Sequence, residues 1–113
     1  MAEPIQILTQ ERPWREFADA PGVHYKTLRK HAQNDGISLL LKFDPGARYH
    51  AHSHPGGEEY FVVEGVLNDL GKTWPQGSYL WHPPGSGHRP YSDQGCVLLV
   101  VLPSGIVRAG SKV

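Results

Sequence analysis

"GARYHAHSHPGGEEYFVVEG", the stretch from Gly46 to Gly65, decides the fold and the chemistry expected of this chain. It carries histidines at three alternating positions: His50, His52 and His54. Alternate side chains of an extended strand point to the same face of a sheet, at about 6.6 Å spacing along the strand. Two of these imidazoles can therefore lean together and bind one ion.

A turn and an acidic pair follow the histidines. Pro55-Gly56-Gly57 must turn the chain. Glu58 and Glu59 open the next predicted strand, which runs to Glu64. Such a hairpin would return a carboxylate to the histidines. Two neutral nitrogen donors and one anionic oxygen suit a divalent transition metal such as zinc or iron.

A later stretch offers the additional ligand that such an ion needs. Gly77 to Ser92 reads GSYLWHPPGSGHRPYS and brings His88 just after a turn rich in proline and glycine. Together the two stretches resemble the paired motifs of the cupin superfamily. The positions that fit the spacing of the first motif are Gly46, His52, His54, Glu58 and Gly65, and those that fit the second are Gly77, Pro83, Gly85 and His88.

The cupin resemblance implies an all-β fold, a single-domain β-barrel or double-stranded β-helix of the jelly-roll type. It also implies one metal ion held by four side chains: His52, His54, Glu58 and His88. The motif selects Glu58 over Glu59, because only Glu58 lies six residues before Gly65. Ser92 stands where the second motif usually has asparagine. That departure concerns a structural position and leaves the ligand set intact.

Within the superfamily, the phrases HSHPGGEEYFVVEG and PPGSGHRPYSDQGC are similar to the cupin-like domain of the ChrR anti-sigma factors. The likeness extends from about Trp14 to Leu102. In that family the domain resembles a zinc-binding sensor module attached to a helical domain that binds a sigma factor. The present chain has no room for the helical domain, so the resemblance implies the cupin half alone.

Composition excludes several other classes of protein. The 113 residues include 11 basic and 11 acidic side chains, so a nucleic acid or an anionic membrane is not the expected partner. No apolar run is long enough to span a membrane, and the N-terminus lacks the pattern of a signal peptide. The single cysteine, Cys96, is expected to be a buried thiol. We therefore expect a cytoplasmic protein.

Short apolar runs between turn residues predict the strands of this domain. Residues 1–20 are expected to form an N-terminal segment that packs on the barrel, residues 21–104 the cupin domain, and residues 105–113 a C-terminal tail. The segment 5–8 is interpreted as a first strand, and 11–20 as the place for one helical turn. Further strands are predicted at 23–30, 37–43, 58–64, 78–82 and 96–102.

Other side chains are candidates for the pocket or for hydrogen bonds to the ligands: His50, Tyr60, Trp81, Arg89 and Tyr91. The candidates for the pocket wall are four aromatic residues: Trp74, Tyr79, Trp81 and Tyr91. His50 shares the strand parity of the predicted ligands, and we interpret it as a residue of the pocket or its rim. His82 is interpreted as structural, and Asn68-Asp69 as a turn.

Three functions remain open on the sequence. The first is a metal-binding cupin that binds or senses a small molecule. The second is implied by a resemblance, at Gly57, Glu59, Tyr60 and Phe61, to other compact cupins: a non-haem iron dioxygenase that cleaves a small diketone or a hydroxyacetophenone. The third is a metal-dependent isomerase. The metal is expected to be zinc or iron, with manganese or nickel as further options. Because small barrels expose strand edges, we expect a homodimer.

Overall fold

The computed structural model of the protein describes residues 3–108, and almost every element in it is a β-strand. One short 3-10 turn, Thr9–Glu11, precedes the strands. The strands are β1 (Arg15–Glu16), β2 (Val23–Lys30), β3 (Ile37–Phe43), β4 (Ala47–Arg48), β5 (His52–His54), β6 (Glu58–Asp69), β7 (Lys72–Pro75), β8 (Tyr79–His82), β9 (Ser86–His88), β10 (Tyr91–Ser92), β11 (Cys96–Leu102) and β12 (Val107–Arg108).

The strands form one large curled sheet and one small sheet, and all their pairings are antiparallel. The large sheet runs β1-β2-β3-β11-β6-β10-β4, and β7 and β8 also pair with β6. The small sheet runs β12-β5-β9. Strand β6 has 12 residues and belongs to both halves of the large sheet, so the sheet folds back over itself along this strand. This arrangement confirms the all-β, barrel-like architecture predicted from the sequence.

A glycine bulge in the middle of β6 changes which residues face the interior. The pairing of β6 with β11 shifts its register between Val97 and Leu98, which leaves Val63 without a partner on β11; we call this irregularity, close to Gly65, the Gly65 bulge. Gly65, beside the shift, has a φ of +79°, and a Cβ atom there would lie 2.2 Å from the carbonyl oxygen of Gly95. Only glycine fits this close approach. Before the bulge the buried positions are even-numbered, and after it Leu67 and Asp69 are buried.

The interior is filled by aliphatic and aromatic side chains from both halves of the sheet. Its most deeply buried members are Val23, Phe43, Tyr60, Val62 and Leu67, each at most 2% exposed. The run Cys96–Leu102, predicted as a buried central strand, is β11 and lies between β3 and β6. Its alternate residues point into this core, as the alternation of burial along the strand shows.

The N-terminal segment differs from the sequence prediction. No strand forms at 5–8, and the segment 11–20 contains β1 in place of a helical turn. The aromatic rings of this segment find partners on the barrel: Trp14 lies 4.6 Å from the ammonium group of Lys26, and Phe17 lies 4.5 Å from the ring of Tyr25. These contacts hold the segment against the barrel in its extended form, whereas a short isolated helix has an unfavourable nucleation free energy.

The C-terminal residues that the structure describes are part of the fold. Strand β12 pairs with β5, with Val107 opposite Ser53 and Arg108 opposite His52. Arg108 also forms an ion pair with Asp19 of the N-terminal segment. The remainder of the predicted tail, 109–113, lies outside the described residues. Among residues 3–108, no helix is long and apolar enough to cross a membrane.

Candidate metal centre

Two short strands and one turn bring the four predicted ligands together. Strands β5 and β9 pair in antiparallel register, which sets His52 directly opposite His88. His54 closes β5, and the turn that follows returns Glu58 at the start of β6. Gly57 in this turn has a φ of +82°, and a Cβ atom there would meet the carbonyl oxygen of His82 at 2.7 Å. The turn can therefore pass close to β8 only because the residue is glycine.

The ligand atoms of these side chains converge on one point. His88 Nε2 lies 3.0 Å from His52 Nε2 and 3.1 Å from His54 Nε2. Glu58 Oε1 lies 3.4 Å from His88 Nε2 and 3.5 Å from His54 Nε2. All four ligand atoms lie within 4.8 Å of one another, a spacing that allows one ion to contact them all.

Each imidazole is oriented through its other nitrogen. The Nδ1–H group of His52 donates to the backbone carbonyl of His50 at 2.9 Å, and His54 Nδ1 hydrogen-bonds with Ser86 Oγ at 3.3 Å. His88 Nδ1 lies 2.9 Å and 3.0 Å from the two carboxylate oxygens of Asp69. These contacts leave the three Nε2 lone pairs free for a metal ion.

The protonation states of the site also suit a cation. Burial lowers the pKa of His52 to about 4. Burial and the neighbouring rings of His88, His52 and His82 lower that of His54 to about 3. Both rings are therefore neutral near pH 7, as metal ligands must be. Burial raises the pKa of Glu58 to about 7, and its buried Oε1 atom has no hydrogen-bond donor. A divalent ion would supply the missing partner, so the residues fit a metal.

Asp69, which the sequence reading assigned to a turn, is the main acceptor behind the site. It is 3% exposed and accepts a hydrogen bond of 2.6 Å from the hydroxyl group of Tyr60. Its Oδ2 atom also lies 3.2 Å from His82 Nε2, at an angle outside hydrogen-bonding range. Burial acts to raise the pKa of Asp69, but His82, His88 and Tyr60 outweigh it and hold that pKa below its ordinary value.

The sequence could not reveal Asp69 because the Gly65 bulge reverses the strand parity. Counting in twos from Glu58 places Asp69 on the outer face, whereas the structure buries it. The sequence interpretation of His82 is a structural role. It is buried opposite Glu58 on β8, and the carboxylate of Asp69 raises its pKa. A prediction that pairs β6 with β8 would have placed His82 beside the site.

An apolar cavity of about 350 Å³ adjoins the ligand cluster. Three of the four predicted ligands, His52, Glu58 and His88, form part of its wall. The rest of the wall is mainly aliphatic and aromatic, with contributions from β2, β3, β6 and β11 and from both terminal segments: Phe17, Tyr25, Thr27, Ile37, Leu39, Leu41, Tyr49, Tyr60, Leu67, Pro90, Leu98, Val100, Leu102, Gly105 and Ile106.

The remaining candidate residues are distributed differently from the sequence prediction. Tyr60 lines the cavity, and the ring of His50 stacks on Tyr49 with centroids 3.9 Å apart. Three candidates lie outside the cavity wall: Trp81, Arg89 and Tyr91.

Strand parity and partners explain why these side chains lie elsewhere. Trp81 and Tyr79 occupy the outward positions of β8 and are 62% and 60% exposed, which corrects their assignment to the wall. Arg89 is exposed, and Tyr91 lies under the guanidinium group of Arg48 at 4.9 Å. Trp74 donates a hydrogen bond of 3.0 Å to the backbone carbonyl of Asp69, away from the cavity.

Three solved structures illustrate what this fold is similar to. A provisionally assigned acetylacetone dioxygenase from Methylibium petroleiphilum PM1 superposes with a TM-score of 0.91 at 17% identity, over 100% of this chain and 88% of that one. The acetylacetone dioxygenase of Acinetobacter johnsonii gives 0.82 at 17% identity, over 100% and 83%. A chain of the Rhodobacter sphaeroides complex between SigE and the anti-sigma ChrR gives 0.70 at 22% identity, over 82% and 49%.

At these identities the superpositions show a shared cupin fold, which confirms the predicted fold class. No curated protein matches the sequence significantly. The family model described as the ChrR cupin-like domain matches residues 2–104, which is most of the chain. The motifs at Gly46–Gly65 and Gly77–Ser92 both lie inside this match, and the chain therefore belongs to the ChrR cupin-like domain family.

Proposed function

We propose that this cupin binds one divalent transition metal through His52, His54, Glu58 and His88, and that a small organic molecule reaches the metal from the apolar cavity. The observation that carries the proposal is the convergence of these ligand atoms at the wall of a cavity of about 350 Å³. Such a cavity favours a molecule that is apolar over most of its surface and coordinates through a few oxygen atoms.

Zinc and ferrous iron are the metals that best suit three imidazoles and one carboxylate, and manganese and nickel remain options. Affinity alone favours zinc over iron, so the metal found after purification need not be the metal that supports activity. We propose ferrous iron as the active form. Four protein ligands leave coordination positions for a substrate or for dioxygen.

For the reaction, we propose the oxidative cleavage of a carbon–carbon bond in a small 1,3-diketone. Both atoms of dioxygen enter the products, a carboxylic acid and a dicarbonyl, so no external reductant is needed. Bound ferrous iron would supply the dioxygen chemistry. The chain itself would hold the diketone oxygens toward the ligand cluster and exclude water through the cavity wall. The likeness over the whole chain to an acetylacetone dioxygenase and to a second protein provisionally assigned as one supports this reaction.

The test loads the metal-free protein with ferrous iron under anaerobic conditions, adds a panel of small diketones, and follows oxygen consumption and products. We expect turnover with at least one diketone. Leu41 lines the cavity, so Leu41→Trp should abolish turnover while metal binding persists. Leu40→Trp is the matched control, because Leu40 lies outside the cavity wall and should retain activity. An iron-loaded protein that consumes no oxygen with any diketone contradicts the oxygenase proposal.

The family match favours a second candidate, a sensing module that binds a small molecule without turnover. In that case a ligand should raise the thermal stability of the metal-loaded protein and not that of the metal-free protein, with no oxygen consumed. The third function, a metal-dependent isomerase, receives no support from the cavity. An isomerase of sugar phosphates would need basic side chains to bind the phosphate, and the described cavity wall contains no lysine or arginine.

We also propose that the partner of the outer sheet face is a second copy of the chain. Phe61, Tyr79, Trp81 and Leu99 are exposed there on neighbouring strands. Within residues 3–108, β8 pairs only with β6, so its other edge is free for the same strand of a second copy. Sedimentation should give a dimer, which Trp81→Glu dissociates. Val107→Glu, a change on a different sheet, is the control; a monomeric native protein contradicts the proposal.

A further inference from the structure

We propose that Asp69 is the residue that positions the metal centre, because it holds His88 in the orientation and tautomer that a metal requires. This inference rests on the proposed metal binding and assigns a role to a residue outside the four ligands. Both carboxylate oxygens of Asp69 contact His88 Nδ1, at 2.9 Å and 3.0 Å. A carboxylate accepts and does not donate, so the ring proton lies on Nδ1 and the lone pair of Nε2 points at the other ligands.

The three histidines differ in the partner that orients them. A backbone carbonyl holds His52, and a serine hydroxyl holds His54. Only His88 has an anionic partner, and a charged acceptor forms the stronger hydrogen bond. His88 is also the central ligand, since its Nε2 atom lies within 3.1 Å of the other two Nε2 atoms. The rotation of this ring therefore sets the geometry of the whole cluster.

The surroundings of Asp69 keep its carboxylate in place. The Tyr60 hydroxyl donates to Oδ2 at 2.6 Å, and the Nε2 atom of His82 lies 3.2 Å from the same oxygen. Within residues 3–108, the ion pairs of Asp69 are with histidines alone, and no lysine or arginine pairs with it. A buried carboxylate without a permanent cation is costly unless another positive charge lies near.

A divalent ion on the far side of the His88 ring would provide that charge. Glu58 and Asp69 are both buried carboxylates, one in contact with the ligand cluster and one behind His88. Their two negative charges would balance the two positive charges of the metal inside an apolar barrel. Removal of the Asp69 charge should therefore weaken metal binding even where the shape of the site is kept.

The test is a chelator competition with zinc on the native protein, Asp69→Asn and Asp44→Asn. Asp69→Asn should bind zinc about 10- to 100-fold more weakly, the range typical of such hydrogen-bond partners of ligands. Asp44→Asn is the matched control, because the Asp44 carboxylate lies 3.0 Å from His24 Nε2 away from the site. Ser86→Ala, which removes the neutral partner of His54, should weaken binding less than Asp69→Asn does.

Two readouts separate positioning from a merely structural role. The cobalt-loaded protein should show a ligand-field spectrum that changes in Asp69→Asn and stays unchanged in Asp44→Asn. In the zinc-loaded native protein, nuclear magnetic resonance should detect the Nδ1–H proton of His88 protected from exchange with water. The second measurement needs no substitution, so it tests the inference even if Asp69→Asn fails to fold.

The outcomes distinguish this inference from the proposed function. If the native protein binds no metal, the proposed function fails first. If it binds one metal ion and Asp69→Asn binds equally well, the positioning role of Asp69 is wrong. Two metal ions per chain would also overturn it, because Asp69, His82 and His88 would then be ligands of a second ion.

Discussion

The burial of Glu58 is the main electrostatic cost of the site in the metal-free protein. Its side chain is buried, its Oε1 atom has no donor, and burial raises its pKa from 4.5 to about 7. An acid with a raised pKa keeps its proton in the folded protein at pH values where the unfolded chain has lost it. The contribution of Glu58 to the stability of the metal-free fold therefore becomes less favourable as pH rises from about 4.5 to about 7.

The first prediction follows from this sign. In the metal-free protein, Glu58→Gln should be more stable than the native protein above pH 7, by an amount on the order of 3 kcal/mol at most. The difference should shrink as pH falls from about 7 and level off below about pH 4.5, where Glu58 is protonated in both the folded and the unfolded chain. Urea unfolding across this range with a chelator present measures it. The low pKa values of His52 and His54 affect both proteins alike, so a difference that does not change with pH contradicts the prediction.

The second prediction concerns a single ligand. His54→Gln should lower zinc affinity by at least about 100-fold, because it removes one of four donors and leaves the rest without a complete coordination shell. His31→Gln is the control, since His31 Nε2 hydrogen-bonds with Ser38 away from the cluster. Equilibrium dialysis with metal analysis gives both values. Equal zinc affinity in the two variants would show that His54 is not a ligand of the metal.

At the scale of the element, β6 connects the fold to the site. Its first residue is the candidate ligand Glu58 and its last is Asp69, and the Gly65 bulge lets both face the interior. An unbroken strand of this length would turn one of the two outward, since side chains alternate along a strand. The bulge is therefore a requirement of the site as well as of the sheet.

The third prediction compares two glycines with similar backbone angles. Gly65→Ala should destabilise the protein by about 3 kcal/mol or more, because the new Cβ atom adds a clash with Gly95 to the cost of a positive φ. Gly71→Ala, at a φ of +72° with no atom within 4 Å of its Cβ, should cost only about 1 kcal/mol. Denaturant unfolding of both variants measures the difference. Equal losses would mean that the close approach at Gly65 is unimportant.

The same bulge explains what the sequence could and could not predict. The spacing of His52, His54, Glu58 and His88 was enough to bring four side chains together, because short turns fix the register of β5, β6 and β9. Strands β2, β3 and β11 were also predicted with their observed bounds. Asp69 was not predicted, since a one-residue bulge changes the face of every later residue and leaves no simple pattern.

The sequence also could not predict which aromatic side chains line the cavity, because that depends on how the strands pair. Tryptophan is a typical pocket residue, but Trp81 on β8 lies opposite Glu59 of β6, and this position turns its side chain outward. The aromatic residues that do line the cavity include Phe17, Tyr25 and Tyr49. Tyr25 lies on a predicted strand, but only the curl of the observed sheet shows that its side chain lines the cavity.

At the scale of the whole molecule, a bound metal would join segments that are distant in the chain. Strands β5 and β9 belong to the small sheet, whereas β6 crosses the large one. An ion held by ligands from all three would connect the two sheets inside the barrel. Because such a ligand binds the native state and not the unfolded chain, it should stabilise the whole fold.

The fourth prediction tests this connection. Saturating zinc should raise the melting temperature by on the order of 10 °C relative to the chelator-treated protein. The shift should disappear in His88→Gln, which has lost a candidate ligand, and should persist in Asp44→Asn. Differential scanning calorimetry measures all three. An unchanged melting temperature in the native protein would show that the metal does not bridge the sheets.

The pairing of β12 with β5 has a practical consequence for anyone who handles this protein. Arg108 lies opposite His52, so the backbone of the last described strand supports the backbone of a candidate ligand. A truncation or fusion made directly after Arg108 would disturb this pairing and, through it, the backbone of His52. Engineered junctions should therefore leave the pairing of β12 with β5 intact, so that an assay of metal binding tests the proposed site itself.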